Sequence, residues 1–278
     1  MNTLKLKGNP MKYALLSLLA FAFFANVAES AEKPPLKLAI IAPVEPWDRQ
    51  EGIEAFRDWL SEHYRVEVTW IEPAKPQPTN EATKEERNAY YQNPPAIPDL
   101  AKAREADVIY TALTHVSLNE ADSAEYLKLL ATKPIIGGRR SHHSVSLRVA
   151  KDGRAQGAGM DAFALEMFGG KYAGHHGGPI RFKEGSADHS IVKGLDGLVK
   201  LSLFDRGYKH VIADDVKVLV ETHEGQPQVW VREKKGDKPR VFYFVHDPRD
   251  IQQHEVVRQM IARALFWATE KNEADYKK

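Results

Sequence analysis

The sequence contains no cysteine. Disulfides, thiolate metal sites, a cysteine nucleophile and a lipidated cysteine are therefore excluded together. It also lacks an excess of either charge: 39 Lys and Arg stand against 38 Asp and Glu, a formal net charge of +1 over 278 residues. With no net field, neither nucleic acid nor an anionic membrane surface is an expected partner, although a local basic groove stays open. Long hydrophobic runs are scarce too, with one near the start and none after it. What remains is an ordinary globular composition, enough for one large α/β domain or two small ones.

The single long run sits in a recognisable setting. Lys5, Lys7 and Lys12 precede the nearly unbroken apolar stretch from Ala14 to Val27, and Ala28-Glu29-Ser30 presents small residues where a signal peptidase reads. Residues 1–30 are expected to be a signal peptide cleaved before Ala31, with Met11 as an alternative start. The run is shorter than the roughly 20 residues that span a bilayer. The mature chain is thus expected to be periplasmic or secreted, without a stable membrane anchor. One domain is expected over residues 31–270, with a charged tail at 271–278 that frays.

Leu36 to Ala42 is a short apolar run ended by Pro43, the pattern of a strand buried on both faces. Asp48 and Glu51 have capping-box spacing, and Ile53, Phe56 and Leu60 recur at helical intervals, which predicts a helix. Val66, Val68 and Trp70 alternate as a second strand. Residues 73–98 are rich in proline, asparagine and charge without any period, so a long surface loop is expected there. A third strand follows at Asp107 to Leu113, then a helix opened by Ser117 and Glu120 that runs through Leu130, then a fourth strand at Lys133 to Gly138. This order predicts a mostly parallel sheet covered by helices on both faces, with ligands beyond the carboxyl ends of its strands. Arg139-Arg140-Ser141-His142-His143 then falls at the mouth of the expected site. Further on, a short helix is expected at Asp161 to Phe168 and strand-like pieces at Val199 to Phe204, Val216 to Thr222, Gln228 to Arg232 and Arg240 to Val245. The last helix is expected to open with Asp250 and Gln253 and to bury Val257, Ile261, Ala264 and Leu265.

The 11 histidines are unevenly spread: His142-His143, His175-His176 and His246 stand where strands or glycine-rich turns end. Imidazole titrates near neutrality and is the commonest metal ligand. Three or four converging rings, backed by Asp247 or Asp250, would hold a divalent metal such as zinc in an open site. The same residues would equally serve as hydrogen-bonded structural groups. No compact ligand spacing occurs, and adjacent histidines in extended chain point to opposite sides, so convergence depends on the fold. Glycines at 169, 170, 174, 177 and 178 around His175-His176 suit a binding loop that lets a ligand approach the backbone closely. The Walker ending and the dinucleotide spacing are both missing, so it is not a phosphate loop. Arg139 and Arg140 could grip a carboxylate or sugar hydroxyls, or pair with a buried Asp and hold the turn. Ser141 lacks the Gly-x-Ser-x-Gly elbow of a serine nucleophile. Trp47, Tyr208 and Trp230 are candidate sugar platforms or core aromatics.

Several of these segments resemble one family. Phe168-Gly-Gly-Lys-Tyr-Ala-Gly-His-His-Gly177 is similar to the Gly-Gly-x-Tyr-x-Gly-His-His-Gly signature of the trehalose-utilisation (ThuA-like) family. So are His189-Ser-Ile-Val-Lys-Gly-Leu195, Gln226-Pro-Gln-Val-Trp-Val-Arg232, Arg240-Val-Phe-Tyr243 leading to His246, and Lys133-Pro-Ile-Ile-Gly-Gly-Arg-Arg-Ser-His-His143. The resemblance implies a class I glutamine amidotransferase-like fold, a flavodoxin-like three-layer α/β sandwich. It also implies a link to disaccharides and 3-keto sugars. Arg139 takes the place of the amidotransferase cysteine, so glutaminase chemistry is not expected. The expected reacting centre comprises His142, His176 and His246 as base or metal ligands, with Arg139, Tyr172 and His175 binding a small carbohydrate. The expected reaction is hydrolysis or elimination; the alternative is a non-catalytic carbohydrate-binding or scaffold protein. The late family motif Gly-His-Pro-Asp/Glu is altered here to Val245-His246-Asp247-Pro248, which leaves open whether His246 or Asp247 faces the site.

Overall fold

The computed structural model describes residues 33–43, 50–76, 78, 81–113, 118–139, 141–143, 158–203 and 208–278. Strand β1 (Leu36–Ile41) lies between β2 (Val66–Ile71) and β3 (Val108–Thr111); β4 (Ile135–Gly138) follows β3, and all these pairings are parallel. The late strand β11 (Val241–Phe244) adds to β4, also in parallel. Beyond it the sheet continues antiparallel through β10 (Pro227–Arg232), β9 (Lys217–Thr222), β6 (Gly178–Phe182) and β7 (Ser202–Leu203), giving nine strands in the order 2-1-3-4-11-10-9-6-7. A separate antiparallel ribbon joins β5 (Gly170–His175) to β8 (Tyr208–Ile212).

Helices cover both faces, as the strand-helix order predicts, and neighbouring residues on single strands show which helix lies where. Side chains alternate along a strand. Tyr110 meets Phe56 of α1 (Gln50–His63) edge-on at 6.0 Å and Phe244 at 6.1 Å. Thr111, one residue on, bonds through Oγ1 to the Tyr126 hydroxyl of α3 (Glu120–Thr132) at 2.7 Å. Tyr243 packs against Phe168 of α4 (Ala158–Phe168) at 5.8 Å. One face therefore carries α1 together with α5 (Pro248–Gln253) and α6 (Glu255–Ala268), and the opposite face carries α3 and α4. The result is a flavodoxin-like three-layer sandwich. Burial of Ile53, Phe56 and Leu60 on α1, and of Val257, Ile261, Ala264 and Leu265 on α6, holds the first face; each large apolar side chain contributes roughly 1.5–3 kcal/mol.

The two glycines that end β4 have a steric cause. A Cβ on Gly137 would stand 2.7 Å from the Tyr243 ring, and one on Gly138 would stand 2.9 Å from the Tyr110 ring. Aromatics of the flanking strands close over β4 from both faces, and only glycine leaves them room.

Several local expectations are corrected. The segment expected as one long loop contains α2 (Lys84–Gln92). Its capping box is complete: Thr83 Oγ1 accepts the Glu86 N–H at 3.1 Å and Glu86 accepts the Thr83 N–H at 2.7 Å. Helix α3 is capped by Asn119, whose side chain accepts the Asp122 N–H at 2.9 Å; Ser117 lies outside the described residues, as does Asp48. The closing helix is two helices: Asp247 caps α5 with Asp250 as its reciprocal partner, and α6 starts afresh at Glu255. The strand expected from Val199 reduces to a 3-10 turn at Leu198–Lys200 and the short β7. The tail is held rather than frayed. Tyr276 packs on Phe266 at 5.4 Å, Arg65 N–H donates to its carbonyl at 2.7 Å, and Lys278 N–H donates to the His63 carbonyl at 3.0 Å.

Candidate functional site

The carboxyl ends of β4 and β11 lie side by side, with Gly138 paired to Phe244. Arg139 leaves β4 with a φ of +31°, a conformation that side-chain-bearing residues seldom adopt. Two bonds keep it there: Arg139 N–H donates to the Phe244 carbonyl at 2.7 Å, and the Tyr243 hydroxyl donates to the Arg139 carbonyl. The guanidinium forms an ion pair with Asp247 and lies 5.9 Å from the centre of the Tyr208 ring. Asp247 also accepts the backbone N–H of Arg249 at 3.0 Å and its Nε at 3.1 Å. Asp250 accepts the Asp247 N–H at 3.0 Å and is only 2% exposed. Burial pushes its carboxyl up to about 6, against the pull of His254, Arg139 and Arg249.

Against this charged corner stands a group of rings drawn from β5, β8 and the turn after β4. His142 lies 5.4 Å from His210, 5.5 Å from Tyr243, 6.2 Å from Tyr172 and 6.5 Å from Tyr208. His175 is 5.7 Å from both Tyr172 and Tyr208. The group runs from the sheet to the surface: His142 and Tyr208 are buried, Tyr172 is half-buried and His175 is exposed. The Tyr243 hydroxyl has a single proton and gives it to the Arg139 carbonyl. His142 Nδ1, also bonded to that hydroxyl, is then the N–H donor, and in the neutral ring Nε2 carries the lone pair. His210 is pushed down to about 4 by burial and stays neutral.

The ribbon that carries these rings is fastened by the segments that resemble family motifs. Trp230 stacks on Tyr243 at 4.3 Å, and its Nε1 donates to the Phe168 carbonyl at 2.7 Å. Arg232 caps the end of α4 by donating to the carbonyls of Glu166 at 2.7 Å and Met167 at 3.1 Å. A Cβ on Gly170 would come within 2.6 Å of the Trp230 ring. That glycine is thus explained by packing on Trp230, and the segment expected as a binding loop is strand β5, with His175 its last residue.

Of the residues expected at the site, Arg139, His142, Tyr172 and His175 are brought together. His176 points elsewhere, its Nε2 lying 3.4 Å from both Thr222 Oγ1 and Glu224 Oε2 at the β9–β10 turn. His246 follows the strand alternation of Phe244, 6.3 Å away, onto the α1 face, where burial pushes it down to about 4. Asp247, not His246, faces Arg139. Ser141 closes the turn by donating to the Thr111 carbonyl at 2.7 Å. Trp230 is core, and Arg140 and Trp47 lie outside the described residues. His210 is not among the expected residues, since no strand is expected at 208–212; the alternation of Tyr208, His210 and Ile212 is the signal that marks β8.

A divalent metal does not fit what is described. Among the described residues, no three His, Asp or Glu side chains are grouped to hold one, and the carboxylate next to Arg139 is taken up by two guanidinium groups. A cleft of about 430 Å³ lies at the opposite, amino edge of the strands, between Asp107, Pro134, Arg240 and Glu270. Several of its charges are paired: Asp107 with Lys271, and Arg240 with Glu233 and Glu270. Among the described residues no helix is long and apolar enough to cross a membrane.

No protein-family model matches the sequence, and no curated protein matches it. Solved structures do match. A protein described as ThuA-like from Parabacteroides merdae ATCC 43184 is 12% identical, with 85% of this chain and 91% of that one covered at a TM-score of 0.48. Another from Bacteroides uniformis ATCC 8492 is 12% identical, with 89% and 98% covered at 0.48. A glutamine amidotransferase from Thermotoga maritima is 11% identical, with 85% and 99% covered at 0.38. Among the structural neighbours of this chain are thus ThuA-like proteins and glutamine amidotransferases, the family and the superfamily that its motifs resemble.

Proposed function

We propose that this chain is an exported protein that binds a disaccharide or a keto-sugar derivative over the carboxyl ends of β4 and β11 and acts on it by hydrolysis or elimination. The observation that carries the reading is Arg139: a strained, buried arginine clamped between Asp247 and Tyr208, directly beside a graded group of rings. Such a guanidinium is fixed in direction before any ligand arrives, which suits it to grip a hydroxyl or carbonyl oxygen. Tyr172 and His175 form the outer rim on which a sugar ring can rest. His142, with its Nε2 lone pair, is the group suited to accept a proton. Arginine in place of a thiol leaves no nucleophile for thioester chemistry on glutamine. Export is supported by the basic and apolar pattern of the first thirty residues.

The test is a calorimetric screen of the chain with trehalose, sucrose and their 3-keto forms, followed by product analysis. A binding sugar is expected, and Arg139→Gln is expected to weaken it at least about tenfold, the loss of one charge-assisted bond. The absence of binding across the panel, or binding indifferent to Arg139→Gln, rejects the reading. A second reading, a carbohydrate-binding or scaffold protein without turnover, is favoured by one observation: His176 and His246 stand away from His142. Turnover lost in His142→Gln with binding retained decides for the enzyme; binding without any product decides for the scaffold.

A further inference from the structure

We propose that Asp250 is the proton-carrying group of this site, the carboxyl beside Arg139 that passes a proton to an oxygen of the bound ligand and takes it back. This rests on the ligand reading above for its occupant, but not for its geometry. The N-cap and the first turn of α5 supply two carboxyls three residues apart, Asp247 and Asp250, in different surroundings. Asp247 is engaged on both oxygens by Arg139 and Arg249. Asp250 uses Oδ2 for the Asp247 N–H, while its Oδ1 is buried without a hydrogen-bond partner. Arg139 Nε is buried and lacks a hydrogen-bond partner as well. Native structures rarely leave such groups unmatched. A donor at the end of β4 and a proton-bearing oxygen on α5 are together complementary to one hydroxyl or carbonyl oxygen, which accepts from the first and exchanges a proton with the second.

The surroundings of Asp250 support the role. Arg139 acts on it from β4, Arg249 from its own turn and His254 from the junction with α6. From α6, Arg258 is committed to the carbonyls of Ile251 and Gln252. On the α1 side the contact is backbone, Gly52 lying against Pro248, so close that a Cβ would stand 2.0 Å from its carbonyl oxygen. Burial outweighs the pull of His254, Arg139 and Arg249 and brings the carboxyl up to about 6, where a group gives and recovers a proton with little penalty. The two neighbouring carboxyls stand in different environments, Asp247 held in ion pairs and Asp250 buried with one oxygen unmatched, the kind of contrast that accompanies a division of labour between two acids. In the step itself, the O–H bond of Asp250 breaks, the proton joins the ligand oxygen, and the carboxylate left behind faces Arg139 until the proton returns.

The experiment is a carboxyl-carbon NMR titration of the full chain. A resonance with a midpoint near 6 is expected, absent in Asp250→Asn, whose amide oxygen still accepts the Asp247 N–H. Arg139→Gln should raise that midpoint by about one pH unit, because a neighbouring cation is removed, and Arg139→Lys should bring it back. A midpoint in the ordinary carboxylate range, or one unmoved by Arg139→Gln, overturns the proposal. Adding a sugar that binds in the calorimetric screen should shift the midpoint again. A sugar that binds without shifting it overturns the proposal and leaves the carbohydrate reading standing. A screen in which no sugar binds rejects that reading, and the Arg139 titrations then decide the proposal alone.

Discussion

Along β1, β3, β4 and β11 nearly every side chain is buried, on both faces of the sheet. On the other side, β6, β5 and β8 mix buried positions with exposed ones, and β5 and β6 include glycine or proline. The parallel half is an apolar slab between two helical layers, so its strands are continuous hydrophobic runs. β10 and most of β9 are buried on both faces as well, whereas the outer strand β6 and the ribbon have a wet side, and the ribbon depends on a few large residues, Trp230 above all, for its place. The candidate site draws on both: the strained turn, the acid pair, His142 and Tyr243 come from the parallel half, and Tyr172, His175, Tyr208 and His210 from the ribbon. The slab supplies a rigid edge, while the ribbon supplies side chains that need a partner to hold them.

That contrast can be broken most forcefully at Trp230. Trp230→Ala removes a fully buried indole, its stack on Tyr243 and its bond to the Phe168 carbonyl, and should cost about 3–5 kcal/mol in urea unfolding. Hydrogen exchange should show the amides of β5 and β8 losing protection before those of β1 and β3. Equal loss across both halves would show that the ribbon is not the weaker part.

Acid should act next. His210 and His246 are neutral when folded, each lowered from 6.5 to about 4, so the unfolded chain binds the extra protons between those values. Their contributions are present above 6.5 and fall away as the pH drops towards 4, by up to about 3 kcal/mol each. Asp250 has the opposite sign: raised from 3.8 to about 6, it favours the folded state at low pH, and that contribution is lost as the pH rises through 6. Melting temperature should therefore fall between pH 6.5 and 4. His210→Phe should flatten the curve on the ribbon side, and Asp250→Asn should steepen it. A pH-independent melting temperature would contradict both burial assignments.

The smallest effect is expected outside both halves. Thr83→Ala removes half of the capping box of α2 and should cost about 1 kcal/mol, seen as faster exchange in residues 84–92 while sheet protection is unchanged.

The legibility of the molecule follows the same division. Leu36–Ile41 and the triad Ile53, Phe56, Leu60 carry periods set by burial on a flat sheet or a helix face, and those periods survive in a single chain. Helix α2 has a thin apolar side and therefore little visible period, although Thr83 and Glu86 mark its start. β5 was hidden by its glycines: a residue chosen to fit under Trp230 has the same letter as one chosen for a loose turn. Arg139 could be placed at the mouth of the site from strand order alone. The pairing of that residue with Asp247, 108 positions away, left no trace in local spacing.

Local chemistry in the chain decided where strands and helices alternate, and hence that a parallel sheet with a strand-end site forms, because hydrophobic period and capping are properties of neighbouring residues. Which imidazoles meet was decided only by tertiary structure. A one-residue step along extended chain turns a side chain to the opposite side, and just past the end of β11 that step separates His246 from Asp247. Equally, the burial that sets Asp250 apart from Asp247 exists only once α5 has closed against the end of the sheet.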